Sequence, residues 1–152
     1  MTTQRPQTPG PLDGRHLVDT TVWSKVRHRD RPDLADWFNG EVREGRIITC
    51  EPVALELLRS ARDAQSFATQ SNLLDILTTC PIGLREWRRA RSVQALLAAR
   101  GEHRGVPPQD LLIAAAAESA GVPLLHYDHD YELIGGVTGQ SMVWLSPPGS
   151  LP

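Results

Sequence analysis

Apolar residues along the chain fall into two spacings that alternate from end to end. Short unbroken runs occur in "HLVD" at 16–19, "RIIT" at 46–49, "TCPI" at 79–82, "VPLLHY" at 122–127 and "SMVWL" at 141–145. Between them lie longer stretches in which apolar positions recur at helical intervals. "RPDLADWFNGEVREG" places Leu34, Trp37, Phe38 and Val42 on one helical face, with Pro32 near the first turn and Gly45 at the end. "TCEPVALELLRSAR" carries a stripe of Val53, Leu57 and Ala61 behind Pro52, with Thr49 as the expected N-cap. Further helices are expected from about Thr21, over 66–77, over 83–101 closed by Gly101, and over 109–121 closed by Gly121. No internal repeat is visible. Alternating strands and helices require a mostly parallel, five-stranded sheet with helices on both faces, because each parallel connection needs a crossover.

In such sheets ligands bind at the carboxyl ends of the strands. The polar residues at that edge are acids. Asp19 ends the first strand. Glu56 lies in the second turn of the helix after the second. Asp128 and Asp130 follow the fourth. Asp110 opens the helix that feeds the fourth strand, and a right-handed crossover starts that helix at the same edge. Converging carboxylates without bases repel one another and raise each other's pKa values. A bound Mg²⁺ or Mn²⁺ removes the conflict, since both ions prefer carboxylate and water oxygens. Such a site activates a water and polarises a phosphoryl oxygen, which is the chemistry of phosphodiester hydrolysis.

The pieces "LVDTTVW", "EPVALELLRSAR" and "VPPQDLLIAAAAESAGVPLLHYDHDYELI", in that order, resemble the PIN-domain ribonucleases, and most of all the VapC toxins of bacterial VapBC pairs. The likeness covers roughly residues 16–145. It implies a three-layer α/β/α sandwich and cleavage of RNA by a metal-activated water in the presence of Mg²⁺ or Mn²⁺. It places catalytic acids on Asp19, Glu56, Asp110 and Asp128, and metal ligation on Asp19, Asp110, Asp128 and Asp130. It also implies a homodimer, silenced when a VapB-like antitoxin inserts a segment into the active-site groove. The chain departs from the family at His126, where Thr or Ser is common two residues before the fourth acid. Bonding a phosphate, ligating metal and packing all remain open for this His. Tyr131 stands where an aromatic is usual and reads as a packing anchor.

Each residue also has a plainer reading. Asp19 could simply cap a helix, and Asp110 could be a favourable charge at a helix start, worth ~0.3–1 kcal/mol. Asp130 could support the cluster or face solvent. Glu56 is the one acid among Leu55, Leu57 and Leu58, which favours a pocket. Thr20 and Thr21 could contact substrate or cap the first helix. Arg104, in the loop before Asp110, is a candidate RNA contact, whereas Arg85, Arg88 and Arg89 suit a solvated face or a phosphate backbone. The four tryptophans suit a core or a dimer interface.

Charge and composition narrow the rest. A formal charge of −2 does not suggest a nonspecific nucleic-acid binder, yet an acidic metal site would lower net charge without preventing phosphate binding. Cys50 and Cys80 fit no metal-ligand spacing and suit reduced thiols in a cytoplasmic protein. The longest apolar run, "LLIAAAA", is far short of a membrane span, and the N-terminus has no apolar signal region. Residues 1–14 suggest a flexible leader, 15–146 the nuclease domain, and 147–152 a flexible tail. A P-loop is absent. A phosphoryl receiver would need a Lys near the last strands, and Lys25 is the only one. A haloacid-type phosphatase would need an Asp where Thr21 stands. The competing function is a PIN-like module that binds RNA or a partner without cutting.

Overall fold

The computed structural model describes residues 7–152. Its strands are β1 (His16–Val18), β2 (Ile47–Ile48), β3 (Leu124–His126) and β4 (Met142–Trp144). Its helices are α1 (Thr20–Val26), α2 (Pro32–Arg43), α3 (Glu51–Arg59), α4 (Ala64–Ile76), α5 (Leu84–Ala99), α6 (Pro108–Ala120) and α7 (Asp130–Thr138), with a short 3₁₀ turn at His103–Gly105. The sheet runs β2-β1-β3-β4, and each neighbouring pair is parallel. Helices flank it, with α5 packed on α6 and α7, α1 on α2, and α3 on α4. The α/β class with a parallel sheet therefore holds, but the sheet has four strands and not five. The expected strand at "TCPI" contributes a single parallel bridge, Thr49 to Thr79. Pro81 follows at once, and without an N–H it cannot extend a ladder.

The helix α7 has no counterpart in the sequence reading. It supplies the crossover that the parallel β3–β4 pair requires. Gly135 and Gly136 in its middle resemble a turn signal, but Gly135 serves packing: a Cβ there would come 3.1 Å from the Met142 side chain on β4. At α3 the N-cap is Cys50, which has no side-chain capping bond, so Thr49 is not the cap. Thr49 belongs instead to the bridge with Thr79.

The core is built around β1, β3 and α6. Both strands are wholly buried, as expected of central parallel strands covered on both faces. Every residue from Leu111 to Ala117 on α6 is buried, so this helix is apolar all round. Cys50 and Cys80 lie in the core as free thiols, and burial pushes the Cys50 thiol up to about 12. No helix among the described residues is long and apolar enough to cross a membrane.

Both ends of the described chain pack on the domain. Of the leader, residues 1–6 lie outside the described residues. Beyond them Leu12 packs on the core, and Trp37 Nε1 donates to the Gly10 carbonyl at 3.0 Å. In the segment read from composition as a flexible tail, Leu151 is buried and its N–H donates to the Tyr127 hydroxyl at 3.0 Å. Lys25 Nζ donates to the Pro152 carbonyl at 2.7 Å.

The order β2-β1-β3-β4 has a consequence for function. From β1 the chain first adds β2 on one side and later β3 on the other. The crevice beyond the carboxyl ends of β1 and β3 is thus the switch point at which open α/β sheets bind ligands.

Candidate active site

Asp19 follows the last residue of β1 and caps α1 with extended backbone. Its Oδ2 accepts the Thr21 N–H at 3.1 Å and the Thr21 hydroxyl at 2.6 Å. Its Oδ1 accepts the Tyr131 hydroxyl at 2.6 Å. The carboxylate is buried, so these bonds replace the water it gave up. The capping role expected as the plainer reading is thus real, and it leaves the carboxylate at the crevice edge. The Thr21 hydroxyl also accepts the Tyr127 N–H at 3.0 Å, which stitches the exit of β1 to the exit of β3.

The other acids arrive from the facing side of the crevice. Pro108 opens α6 and Asp110 lies in its first turn. Asp128 sits in the β3–α7 connection, and Asp130 is the first residue of α7. The Asp130 N–H donates to Asp128 Oδ1 at 2.9 Å. Carboxylate oxygens of Asp110, Asp128 and Asp130 all lie within 4.8 Å of one another. Asp19 is outside that trio but close to it: the Tyr131 hydroxyl that bonds Asp19 is 3.4 Å from Asp110 Oδ1.

The electrostatics follow from this geometry. Burial, reinforced by the charges of Asp19, Asp128 and Asp130, raises Asp110 to about 7. Burial and then the charge of Asp128 raise Asp130 as well. Among the described residues, no Lys, Arg or His forms an ion pair with Asp19, Asp110, Asp128 or Asp130. The donors on Asp19 and Asp128 are neutral, and Asp110 and Asp130 hydrogen-bond each other, with the proton favoured on Asp110; a shared proton offsets part of the negative charge and a cation could offset the rest. Three convergent carboxylates with hard oxygen donors and no basic partner suit a divalent cation such as Mg²⁺ or Mn²⁺, and the donor set therefore fits the ion that the chemistry calls for.

Glu56 is placed differently from the other acids. It is exposed on α3, and so is its neighbour Leu55, so the apolar surroundings of Glu56 in sequence do not form a pocket. Its Oε2 accepts the Thr20 hydroxyl at 3.0 Å and the Gln109 amide at 2.5 Å. It thus joins the site at the rim, through the residues that adjoin Asp19 and Asp110. Gln109 was not singled out from sequence; its position beside Asp110 at a helix start is the one signal that marked it.

The candidate substrate contacts separate by exposure. Thr20 is partly exposed and bonded to Glu56, and Arg104 is exposed on the 3₁₀ turn before α6. The one proton of the Thr21 hydroxyl and one of its two lone pairs are used within the protein. His126 is wholly buried, with its ring between Tyr131 and Trp144 at centroid distances of 5.1 and 4.7 Å. It is therefore out of reach of a phosphate. Its Nδ1 accepts the Asp128 N–H at 3.2 Å, which puts the ring proton on Nε2. Burial lowers the His126 pKa, in keeping with that neutral ring. Arg89 is paired with Glu118, while Arg85 and Arg88 are exposed. Apart from the acids, a cavity of about 410 Å³ opens between α1, α2 and α4, lined by Trp23, Val26, Phe38, Val42, Leu73 and Leu77. Arg27, His28 and Arg29 also contribute to its walls.

Comparison with known proteins bears on this architecture. The PIN-domain family model matches residues 16–137. Ribonuclease VapC18 of Mycobacterium tuberculosis is 38% identical over 88% of this chain and 97% of its own length. Ribonuclease VapC51 of the same organism is 34% identical over 90% and 97%. Among solved structures, the DNA-bound VapBC of Salmonella typhimurium superposes with a TM-score of 0.68 at 17% identity, covering 87% of this chain and 98% of its own. VapBC-5 of Mycobacterium tuberculosis gives 0.59 at 22% identity, with 86% and 98% covered. These structures share the fold of this chain. With four acids gathered at the β1–β3 switch point and a family match across nearly the whole domain, the chain belongs to the PIN-domain family and, within it, to the VapC group.

Proposed function

We propose that the chain is the toxin of a type II toxin–antitoxin pair, an endoribonuclease that hydrolyses RNA phosphodiester bonds. The observation that carries this reading is the trio Asp110, Asp128 and Asp130, which forms no ion pair with a base among the described residues and is linked through Tyr131 to Asp19. The names of the VapC relatives support the activity, and the VapBC complexes among the solved structures support a VapB-like antitoxin as partner.

In this reading Asp110, Asp128 and Asp130 hold Mg²⁺ or Mn²⁺, and Asp19 completes the set. The ion, when bound, lowers the pKa of a water and polarises a phosphoryl oxygen. The protein's residues do the rest. Asp110 must give up its proton before it can ligate, so binding strengthens as the pH rises through about 7. Glu56, exposed at the rim and oriented by Thr20 and Gln109, is the acid placed to accept a proton from an attacking water. Arg104, exposed on the turn before α6, and Thr20, beside Asp19, are the candidate contacts for the phosphate backbone. His126 sets the backbone at Asp128 and touches no substrate. The protein acts in the cytoplasm as a homodimer, a compartment consistent with two buried free thiols.

The test is cleavage of RNA by the purified chain, freed of antitoxin, with Mg²⁺ or Mn²⁺, with EDTA, and beside Asp19→Asn. Cutting that needs the metal and is lost in the folded variant supports the nuclease. A folded, metal-loaded chain that cuts no RNA would favour the silent binding module. Cutting that persists in Asp19→Asn would mean that the acids do not form the active site.

A further inference from the structure

Asp19 differs from the other acids in how firmly it is held. An ionised carboxylate offers about four acceptor positions. Three of these are filled inside the protein, by the Thr21 N–H, the Thr21 hydroxyl and the Tyr131 hydroxyl. One remains. None of the three donors carries charge, so they fix the carboxylate without neutralising it. The short O–H···O contacts of 2.6 Å are those of hydroxyls donating to an anion.

Packing alone does not explain Tyr131. Its ring is wholly buried against His126, and a phenylalanine would fill that space. Burying the hydroxyl is unfavourable unless it finds a partner, and here it donates its one proton to Asp19 beyond β1 at 2.6 Å while lying 3.4 Å from Asp110 in α6. Tyr131 itself sits on α7, next to Asp130. One phenol thus touches two acids and adjoins a third in sequence. Thr21 does similar work on the opposite oxygen of Asp19, and its hydroxyl is itself oriented by the Tyr127 N–H.

We propose that Tyr131 and Thr21 are positioning residues that hold Asp19 as a one-bond ligand arm beside the Asp110–Asp128–Asp130 cluster. This rests on the cation-binding reading of the site. It goes beyond that reading by assigning the geometry of Asp19 to two neutral hydroxyls. Neither residue touches substrate; each acts through Asp19. Groups that orient a metal ligand typically change affinity by roughly 10–100-fold when removed.

The experiment is calorimetric titration of the full chain with Mn²⁺, for wild type, Tyr131→Phe, Thr21→Val and Thr21→Ser. Thermal unfolding in EDTA and RNA cleavage over a range of Mn²⁺ accompany it. Tyr131→Phe should stay folded in EDTA and bind Mn²⁺ roughly tenfold more weakly. Excess Mn²⁺ should restore its kcat, with the KM for RNA unchanged. Thr21→Val should weaken Mn²⁺ in the same way, and Thr21→Ser, which keeps the hydroxyl, should restore it. Wild-type Mn²⁺ affinity in Tyr131→Phe would overturn the assignment of Tyr131, as would a variant that fails to fold in EDTA, because the hydroxyl would then serve the core. Equal affinity in the two Thr21 variants would overturn the assignment of Thr21. A wild-type chain that binds no Mn²⁺ would instead sink the cation reading itself, an outcome separate from these.

Discussion

Replacing Asp110 with Asn tests whether the acids are held together against their own repulsion. Burial and three neighbouring charges raise Asp110 from 3.8 to about 7. An acid whose pKa is higher in the folded protein holds its proton there after the unfolded chain has released it. The folded state then binds more protons between pH 3.8 and about 7, so stability falls as the pH rises through that window. Below it both states are protonated and no penalty exists. Above it the penalty is complete. At about 1.4 kcal/mol per pKa unit, the ceiling is ~4 kcal/mol. Asp110 keeps some contact with solvent, and screening there brings the expected effect to ~2 kcal/mol.

Asn has the shape of Asp without the charge. In EDTA at pH 8, Asp110→Asn should therefore unfold ~4–8 °C above wild type, at about 2–4 °C per kcal/mol for a chain of this size. At pH 4 the two should melt together. Adding Mg²⁺ should close the gap at pH 8, because wild type gains ~2.7 kcal/mol at a hundred times its Kd while the variant has lost a ligand. The assay is thermal denaturation followed by circular dichroism in the four combinations of pH and metal. A variant no more stable than wild type in EDTA at pH 8 would refute the charge-conflict argument. So would a wild type whose Tm ignores the metal.

Other substitutions probe the supports around the acids. His126→Leu removes the acceptor for the Asp128 N–H, whereas the Oδ1 of Asn in His126→Asn can remake that bond to the backbone two residues on. Both should lose stability with the buried ring, but Mn²⁺ titration should show the Leu variant binding more weakly than the Asn variant; equal affinities would mean that the bond does not matter. Leu151→Ala should cost ~2 kcal/mol, the low end for a buried Leu, and lower the Tm by ~4–8 °C. Limited proteolysis should then clip the C-terminal segment first, and an unchanged Tm would mean that the segment is only loosely docked.

The parts of the molecule that could be read from sequence were those set by local pattern. Continuous apolar runs found β1, β2, β3 and β4, and helical pattern and capping signals found α1 to α6. The acids could be grouped because strand ends in a parallel sheet share one edge. Failures came where tertiary context overrode the pattern. "TCPI" has the look of a strand, but Pro81 removes the donor that a ladder needs. No helix is read from sequence between β3 and β4, although a parallel pair demands a crossover there, which α7 supplies. Thr49 could cap a helix in principle, but the chain needed it for the bridge to Thr79. Glu56 stood among leucines in sequence, and only the helix orientation revealed that Leu55 faces solvent beside it. The tail looked flexible by composition, yet Leu151 finds a place in the core. Residues that act through contacts, such as Gln109 on Glu56 and Tyr131 on Asp19, have a place in the sequence pattern but no signal for the contact itself.

That last class explains how the site can be rigid and still highly charged. A lysine or arginine among the acids would have settled their repulsion within the protein and left little for a cation to gain. Here Asp110 and Asp130 bond each other, while Asp19 and Asp128 are held by backbone N–H groups at Thr21 and Asp130, by the hydroxyls of Thr21 and Tyr131, and by the imidazole that bonds the Asp128 N–H. Such groups specify position but cancel no charge. The fold therefore accepts a local instability, seen in the raised pKa of Asp110, and keeps its geometry. On the proposed reading, a divalent ion would find most of its ligands positioned and would relieve the repulsion that raises Asp110, so both terms would favour binding once Asp110 has lost its proton. A site designed the other way, with flexible acids paired to bases, would have to reorganise and break ion pairs before it could bind at all.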